Sequence, residues 1–202
     1  PEIADVYSYD GQDVEWESMR SGIVHRLDKE TSGLIIIAKN QNSFTYLKSL
    51  FKERKIQKTY IALAHGHFKN KEGVIDAPIG KYGGKQTTRI VVGRKYLKER
   101  PAVTEYRVLK EYSDYSLVEL EPRTGRTHQI RVHLKSIGHS IVCDPLYGSK
   151  KAVCPPELGR LFLHAKKLAF ATPDGQAMVL EADLPEELES FLAGLDTSEE
   201  LM

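Results

Sequence analysis

The apolar positions of this chain change period several times, and each change marks an element. Leu34-Ile35-Ile36-Ile37-Ala38 is an unbroken, β-branched run that predicts a buried strand. Over residues 40–53, Phe44, Leu47, Leu50 and Phe51 recur at three-to-four-residue spacing with lysines opposite, which predicts an amphipathic helix. Over residues 57–64 the period shortens to two, with Lys58, Tyr60, Ala62 and Ala64 on one face of a strand and Thr59, Ile61 and Leu63 on the other. Tyr60 thus shares a face with small residues, which leaves room for something flat against its ring. Residues 73–100 hold Gly80, Gly83, Gly84 and Gly93 around a strand-like core at 87–92, and predict a hairpin with a mobile, basic tip. Residues 102–111 and 115–121 alternate about Tyr112-Ser113-Asp114 as a second hairpin, and residues 162–171 and 177–180 flank Pro173-Asp174-Gly175-Gln176 as a third. Residues 127–137 fit a helix with Ile130 and Leu134 inward and Gly138 as its left-handed stop. Pro185 opens a short terminal helix over residues 186–192. Many hairpins and few helices predict an α+β fold, a mixed and mostly antiparallel sheet with flanking helices and loops.

A chain of 202 residues, 41% of them hydrophobic, can bury one sizeable core. Residues 1–21 are polar and acidic, with Tyr7, Tyr9 and Trp16 out of period, and are expected to be a partly ordered lead-in to a domain spanning 22–202. No apolar stretch approaches the roughly 20 residues of a membrane span, and the first residues lack a signal-peptide pattern, so a cytoplasmic protein without a membrane partner is expected. Cys143 and Cys154 lack metal-ligand spacing, and in such a compartment free thiols are favoured over a disulfide.

The net charge of +1 conceals an uneven distribution. Residues 1–30 carry 8 acidic and 3 basic side chains and residues 181–202 carry 8 acidic and none basic, which leaves 12 acidic against 26 basic between them. A middle of +14 points to a polyanionic partner. Its densest clusters are Lys48, Lys52, Arg54, Lys55 and Lys58, then Lys85, Arg89, Arg94, Lys95, Lys98 and Arg100. Either cluster alone is explained as well by solvated helix and strand faces.

The chemistry concentrates in His25-Arg26-Leu27-Asp28-Lys29-Glu30-Thr31-Ser32-Gly33, where a carboxylate lies between two cations in a polar loop ahead of an apolar run. Neighbouring positive charge keeps such an aspartate ionised, and an adjacent strand fixes its position. This nonamer resembles the catalytic loop of the RluA/RluD-type pseudouridine synthases, which modify large-subunit ribosomal RNA. Further blocks resemble that family in its own order: Lys58-Thr59-Tyr60-Ile61-Ala62-Leu63, the arginine-bearing run from Gly125 through Arg126-Thr127-His128-Gln129-Ile130-Arg131 to Leu134, and the run from Gly138-His139-Ser140 through Cys143-Asp144 to Tyr147-Gly148. The resemblance covers residues 22–192. Ser140 and Cys143 stand where the family usually has proline and glycine, and neither is a catalytic position. Pro101-Ala102-Val103-Thr104-Glu105-Tyr106-Arg107 favours the RluD-like branch.

The resemblance implies the family's catalytic fold and an RNA isomerase with large-subunit ribosomal RNA as partner, acting as a monomer. It implies Asp28 as the group that attacks the sugar or takes one of its protons, and Arg131 as the guanidinium that orients it through a charge-assisted bond. It implies Tyr60 packed on the uracil, where it can assist removal of the C5 proton, and Arg26 filling the stack after the target base leaves it. His25 and Thr31 are expected to brace the loop. The family's usual earlier strands and its small RNA-binding domain are absent from this chain, and the missing initiator methionine favours a fragment over a naturally short form. A catalytically silent RNA-binding fragment is therefore the alternative. The isomerisation gains and loses no atoms, so no cofactor is expected, and the sequence holds no G-x-G-x-x-G or P-loop run. A metal-dependent hydrolase built on His65, His67, His128 and His133 is the remote third possibility, since their spacings match no usual ligand set.

Overall fold

The structure, a computed structural model, describes residues 22–81, 89–91, 99–148 and 153–196, with backbone only at 81 and 89–91. The mobile tip expected between residues 73 and 100, most of the second basic cluster and the lead-in at 1–21 lie outside the described residues.

Strands β1 (Ser32–Gly33), β2 (Gln57–His65), β3 (Glu72–Asp76), β6 (Val103–Glu111), β7 (Tyr115–Pro122) and β8 (Leu163–Ala171) form one sheet in the order β1-β8-β2-β7-β6-β3, and β9 (Ala177–Glu181) pairs with β8. Only β1 runs parallel to its neighbour, so the sheet is mixed and mostly antiparallel, as the alternating pattern predicts. β4 (Ile79–Lys81) and β5 (Arg89–Val91) make a separate two-stranded hairpin. Among the described residues three helices accompany the sheets: α1 (Gln41–Glu53), α2 (Gln129–Ser136) and α3 (Glu186–Ala193).

Local chemistry explains the helix boundaries. Asn40 caps α1 by accepting the Ser43 N–H at 2.9 Å, and Arg54 ends it with a left-handed φ of 60°. Leu47 and Leu50 are the face that α1 buries, against Ile36, Ala38, Leu168 and Phe170, and each contributes about 1.5–3 kcal/mol of apolar burial. α2 begins two residues later than its pattern predicts, because His128 takes a φ of 56° that no helix accommodates. Ile130 and Leu134 then enter the main core with Leu63, Leu120 and Phe162, and Gly138 stops the turn at φ +94°.

The strand expected at residues 34–38 is a correction. The ladder of β1 ends at Gly33, before the run begins, and within the run there is an isolated bridge from Ile37 to Ile23. Leu34, Ile36 and Ala38 face inward while Ile35 and Ile37 are exposed, so the run is half-buried. The Ile36 N–H goes to the His25 ring, at 2.8 Å, in place of a strand partner.

A second correction concerns the cysteines, which are joined as a Cys143–Cys154 disulfide with their Cα atoms 4.6 Å apart. Expected compartment argued for free thiols, whereas the tertiary fold brings the pair within bonding reach.

Gly33 is the tightest point of the Asp28 loop. Its φ is +109°, and a Cβ there would lie 2.3 Å from the Ala165 carbonyl oxygen. Gly33→Ala is expected to cost at least about 2 kcal/mol of stability, visible as a lowered urea midpoint.

Candidate active site

The Asp28 loop is held at both ends, by α1 and the following segment at one and by the sheet at the other. His25 stacks on Phe51 of α1, with ring centroids 4.6 Å apart, and accepts the Ile36 N–H. At the other end Ser32 donates to His164 Nδ1 at 3.0 Å. The assignment of donor follows from His164 Nε2, which faces the Ala182 carbonyl at 3.2 Å and so must carry the ring proton. Within the loop the Thr31 N–H closes on the Asp28 carbonyl at 3.0 Å.

Burial first and the charge of Lys58 second push His25 down to about 4. It is neutral when folded and keeps its acceptor lone pair for Ile36. The linkage sign follows: stability is complete above the ordinary histidine value of 6.5 and is lost as pH falls toward 4, by up to about 3 kcal/mol. Urea midpoints at pH 7 and pH 4.5 should therefore differ more for the native chain than for His25→Gln.

Arg131 arrives from α2, almost fully buried at 5% exposure. The turn before α2 is held by Gln129, whose amide donates to Val103 O (2.9 Å) and Thr104 Oγ1 (3.0 Å) and accepts from Thr124 Oγ1 (2.6 Å) and Arg126 N–H (3.0 Å). His133 adds a bond from Nε2 to the Ala77 carbonyl (3.0 Å) and accepts from Thr104 at Nδ1 (2.9 Å). Every polar atom of the Gln129 side chain is thus engaged, which fixes the direction in which α2 projects Arg131.

The guanidinium joins two carboxylates. Its Nε and one terminal nitrogen donate to the two oxygens of Asp144 at 2.8 and 2.7 Å, and its other terminal nitrogen reaches Asp28 at 3.4 Å. The two-point pairing therefore belongs to Asp144, and Asp28 receives a single longer contact. Asp144 Oδ1 also accepts the N–H groups of Leu146 and Tyr147, both at 2.9 Å, and the Tyr147 ring lies 5.1 Å from the Arg131 guanidinium carbon. Burial works against the Arg131 charge, but the Asp144 bonds and then Asp28 outweigh it, so Arg131 is held above the ordinary arginine value.

In front of Asp28 opens a cavity of about 660 Å³. Arg26, Asp28, Lys58, Tyr60, Arg126 and His128 contribute to its walls, so Arg26, Asp28 and Tyr60 share one space while Arg131 touches Asp28 from behind. Lys52, Arg54, Lys55 and Lys58 of the first basic cluster line the same cavity, and Lys48 instead lies 5.1 Å from the Phe44 ring. Burial first, then the nearby Asp28 charge, push the Tyr60 phenol up to about 12, so it stays protonated at neutral pH. The sequence assigned no role to Asp144, and named Lys58 only as one member of the first basic cluster, although both lie inside the quoted motifs.

Three of the four histidines weighed as metal ligands hydrogen-bond protein groups through their rings, and the fourth, His65, lies 5.4 Å from the Tyr115 ring. His67 Nε2 bonds the Tyr112 carbonyl at 2.6 Å, His128 Nδ1 bonds the Tyr147 hydroxyl at 2.8 Å, and His133 is engaged at both nitrogens. Among the described residues no helix is long and apolar enough to cross a membrane.

Comparison with known proteins agrees with this geometry. Residues 15–136 match the RNA pseudouridylate synthase family model. An RNA pseudouridine synthase of Bacillus subtilis is 40% identical over 178 residues, covering 88% of this chain and 56% of that protein. The ribosomal large subunit pseudouridine synthase D of Nitrosomonas europaea is 40% identical over 182 residues, covering 87% of this chain and 52% of its own. Among solved structures, human RNA pseudouridylate synthase domain containing 1 superposes with a TM-score of 0.77 at 31% identity, over 87% of this chain and 73% of the human one. The sheet thus has the fold of solved RNA pseudouridylate synthase domains. The chain belongs to the RNA pseudouridylate synthase family. It spans about half the length of the curated relatives it matches.

Proposed function

We propose that the chain isomerises uridine to pseudouridine in RNA, with large-subunit ribosomal RNA as substrate. One observation carries the proposal: the Asp28 carboxylate, 17% exposed, stands at the wall of a cation-rich cavity with Arg131 3.4 Å behind it and Tyr60 on the same wall. The name of the Nitrosomonas relative supports the choice of RNA.

The reaction breaks the bond from the sugar's anomeric carbon to N1 of uracil, turns the base, and joins the same carbon to C5. The C5 hydrogen departs and N1 gains one, so the atoms balance without a redox partner or cofactor. Asp28 acts at the ribose, either on the anomeric carbon or on a sugar proton. Arg131 orients it, and Asp144 in turn orients Arg131. Tyr60 packs against the turning uracil as a neutral phenol. Arg26, exposed on the cavity rim, fills the stack that the everted nucleotide leaves, offsetting a few kcal/mol of unstacking. Residues 22–202 serve as the catalytic domain, working as a monomer in the cytoplasm.

Incubation with large-subunit ribosomal RNA transcripts, followed by pseudouridine mapping, tests this. Conversion at discrete uridines is expected. RNA that is retarded on a gel yet contains no pseudouridine would identify a binding fragment instead, an outcome kept open by the chain's half-length match to its relatives.

A further inference from the structure

We infer that Lys58 seats a backbone phosphate of the RNA, on the same strand and in the same cavity as Tyr60. This rests on RNA being the substrate, as proposed above. Lys58 and Tyr60 are two residues apart on β2, about 7 Å along the strand, and both line the cavity although the pairing with β8 shifts register between Thr59 and Tyr60. That places an ammonium one short step from the ring assigned to the base, on the scale that separates a nucleotide's base from its own phosphate.

The other cations of the cavity help to single Lys58 out. Arg123 is committed to Glu105 through two bonds of 2.8 and 2.7 Å, and Lys55 pairs with Glu53 at 2.7 Å. Lys58 has no carboxylate partner among the described residues. It donates to the neutral Thr124 carbonyl at 3.3 Å, and an ammonium has three donors. The next cation, Arg54, repels it. Half-buried and without a counter-ion, Lys58 is pushed down to about 8, by burial first and by Arg54 second. A protein that holds a cation in this state gains most when an anion arrives, because the anion supplies the pairing that burial removed.

The loop opposite leaves the place open. Gly125 stands where even a Cβ would come to 3.9 Å from the Lys58 nitrogen, and a longer side chain would cover it. Arg126 follows on the cavity wall and extends the positive track along which a strand's phosphates run. The anion is therefore a phosphodiester carried by a single-stranded or everted nucleotide, read by charge and not by base.

The test uses the whole chain and a uridine homopolymer strand. Lys58→Met should weaken binding about tenfold at moderate salt and flatten the dependence of log affinity on log salt by about 0.7, the share of one single-strand phosphate. Lys58→Arg should retain the native salt slope. A folded Lys58→Met chain with the native slope overturns the inference, and so does a Lys58→Arg chain that loses slope as the methionine variant does. Should Lys58→Met fail to fold, Lys58→Gln is read against the same two outcomes. Turnover on ribosomal transcripts separates this from the functional proposal: slope lost on Lys58→Met with no conversion by the native chain keeps the phosphate seat and removes the isomerase, and conversion with an unchanged slope does the reverse.

Discussion

Asp28→Asn is expected to end turnover, by at least about 10⁴-fold, while RNA affinity stays within a few-fold of native. Asparagine has nearly the same shape, and the arginine it faces keeps its two bonds to Asp144, so the substitution leaves no charge buried without a partner. The folding cost is therefore small. What disappears is the anion itself, and an amide neither attacks a sugar carbon nor accepts its proton at a useful rate. Affinity survives because it comes from the cavity's cations, and removal of one acidic group from the path of a polyanion does not weaken it. Pseudouridine mapping beside a gel-shift titration measures both quantities, and full activity in the variant would remove Asp28 from the chemistry.

Asp144→Ala is expected to be the most damaging change outside the loop, lowering stability by about 3–5 kcal/mol and turnover by about 100-fold. The carboxylate is wholly buried, and its loss leaves a guanidinium 6% exposed with a single 3.4 Å contact to Asp28. The N–H groups of Leu146 and Tyr147 lose their acceptor in the same step. Arg131 would then move toward Asp28 and carry it off its position, which is why the rate should fall even in molecules that remain folded. Urea unfolding and single-turnover pseudouridine formation read the two effects separately. Asp144→Asn, which keeps the shape and one acceptor, should lose less of each. Native stability in the alanine variant would show that Arg131 is held by other means.

What was legible in the sequence was what local chemistry decides. The helix over residues 40–53 could be read because Asn40 caps it and because its apolar spacing matches the buried face at Leu47 and Leu50. The hairpin of β6 and β7 could be read because its alternation meets a short polar turn. Asp28, Tyr60 and Arg131 stood out through their motifs, and the fold brings Asp28 beside each of the other two. What escaped was set by partners distant in sequence. Nothing in Leu34-Ile35-Ile36-Ile37-Ala38 says that a histidine eleven residues earlier takes the N–H a strand would have used. Nothing near Cys143 announces Cys154 as its neighbour across the fold. Asp144 could be seen in the sequence, but that it claims the forked pairing with Arg131 could not, because only the packed helix decides which carboxylate meets which nitrogens.

The stitches that hold the Asp28 loop reach far along the chain: 103 residues to Arg131 and 132 to His164. A ribosome making this protein therefore extrudes the aspartate before either support. The loop reaches its working geometry only once those distant partners have folded against it.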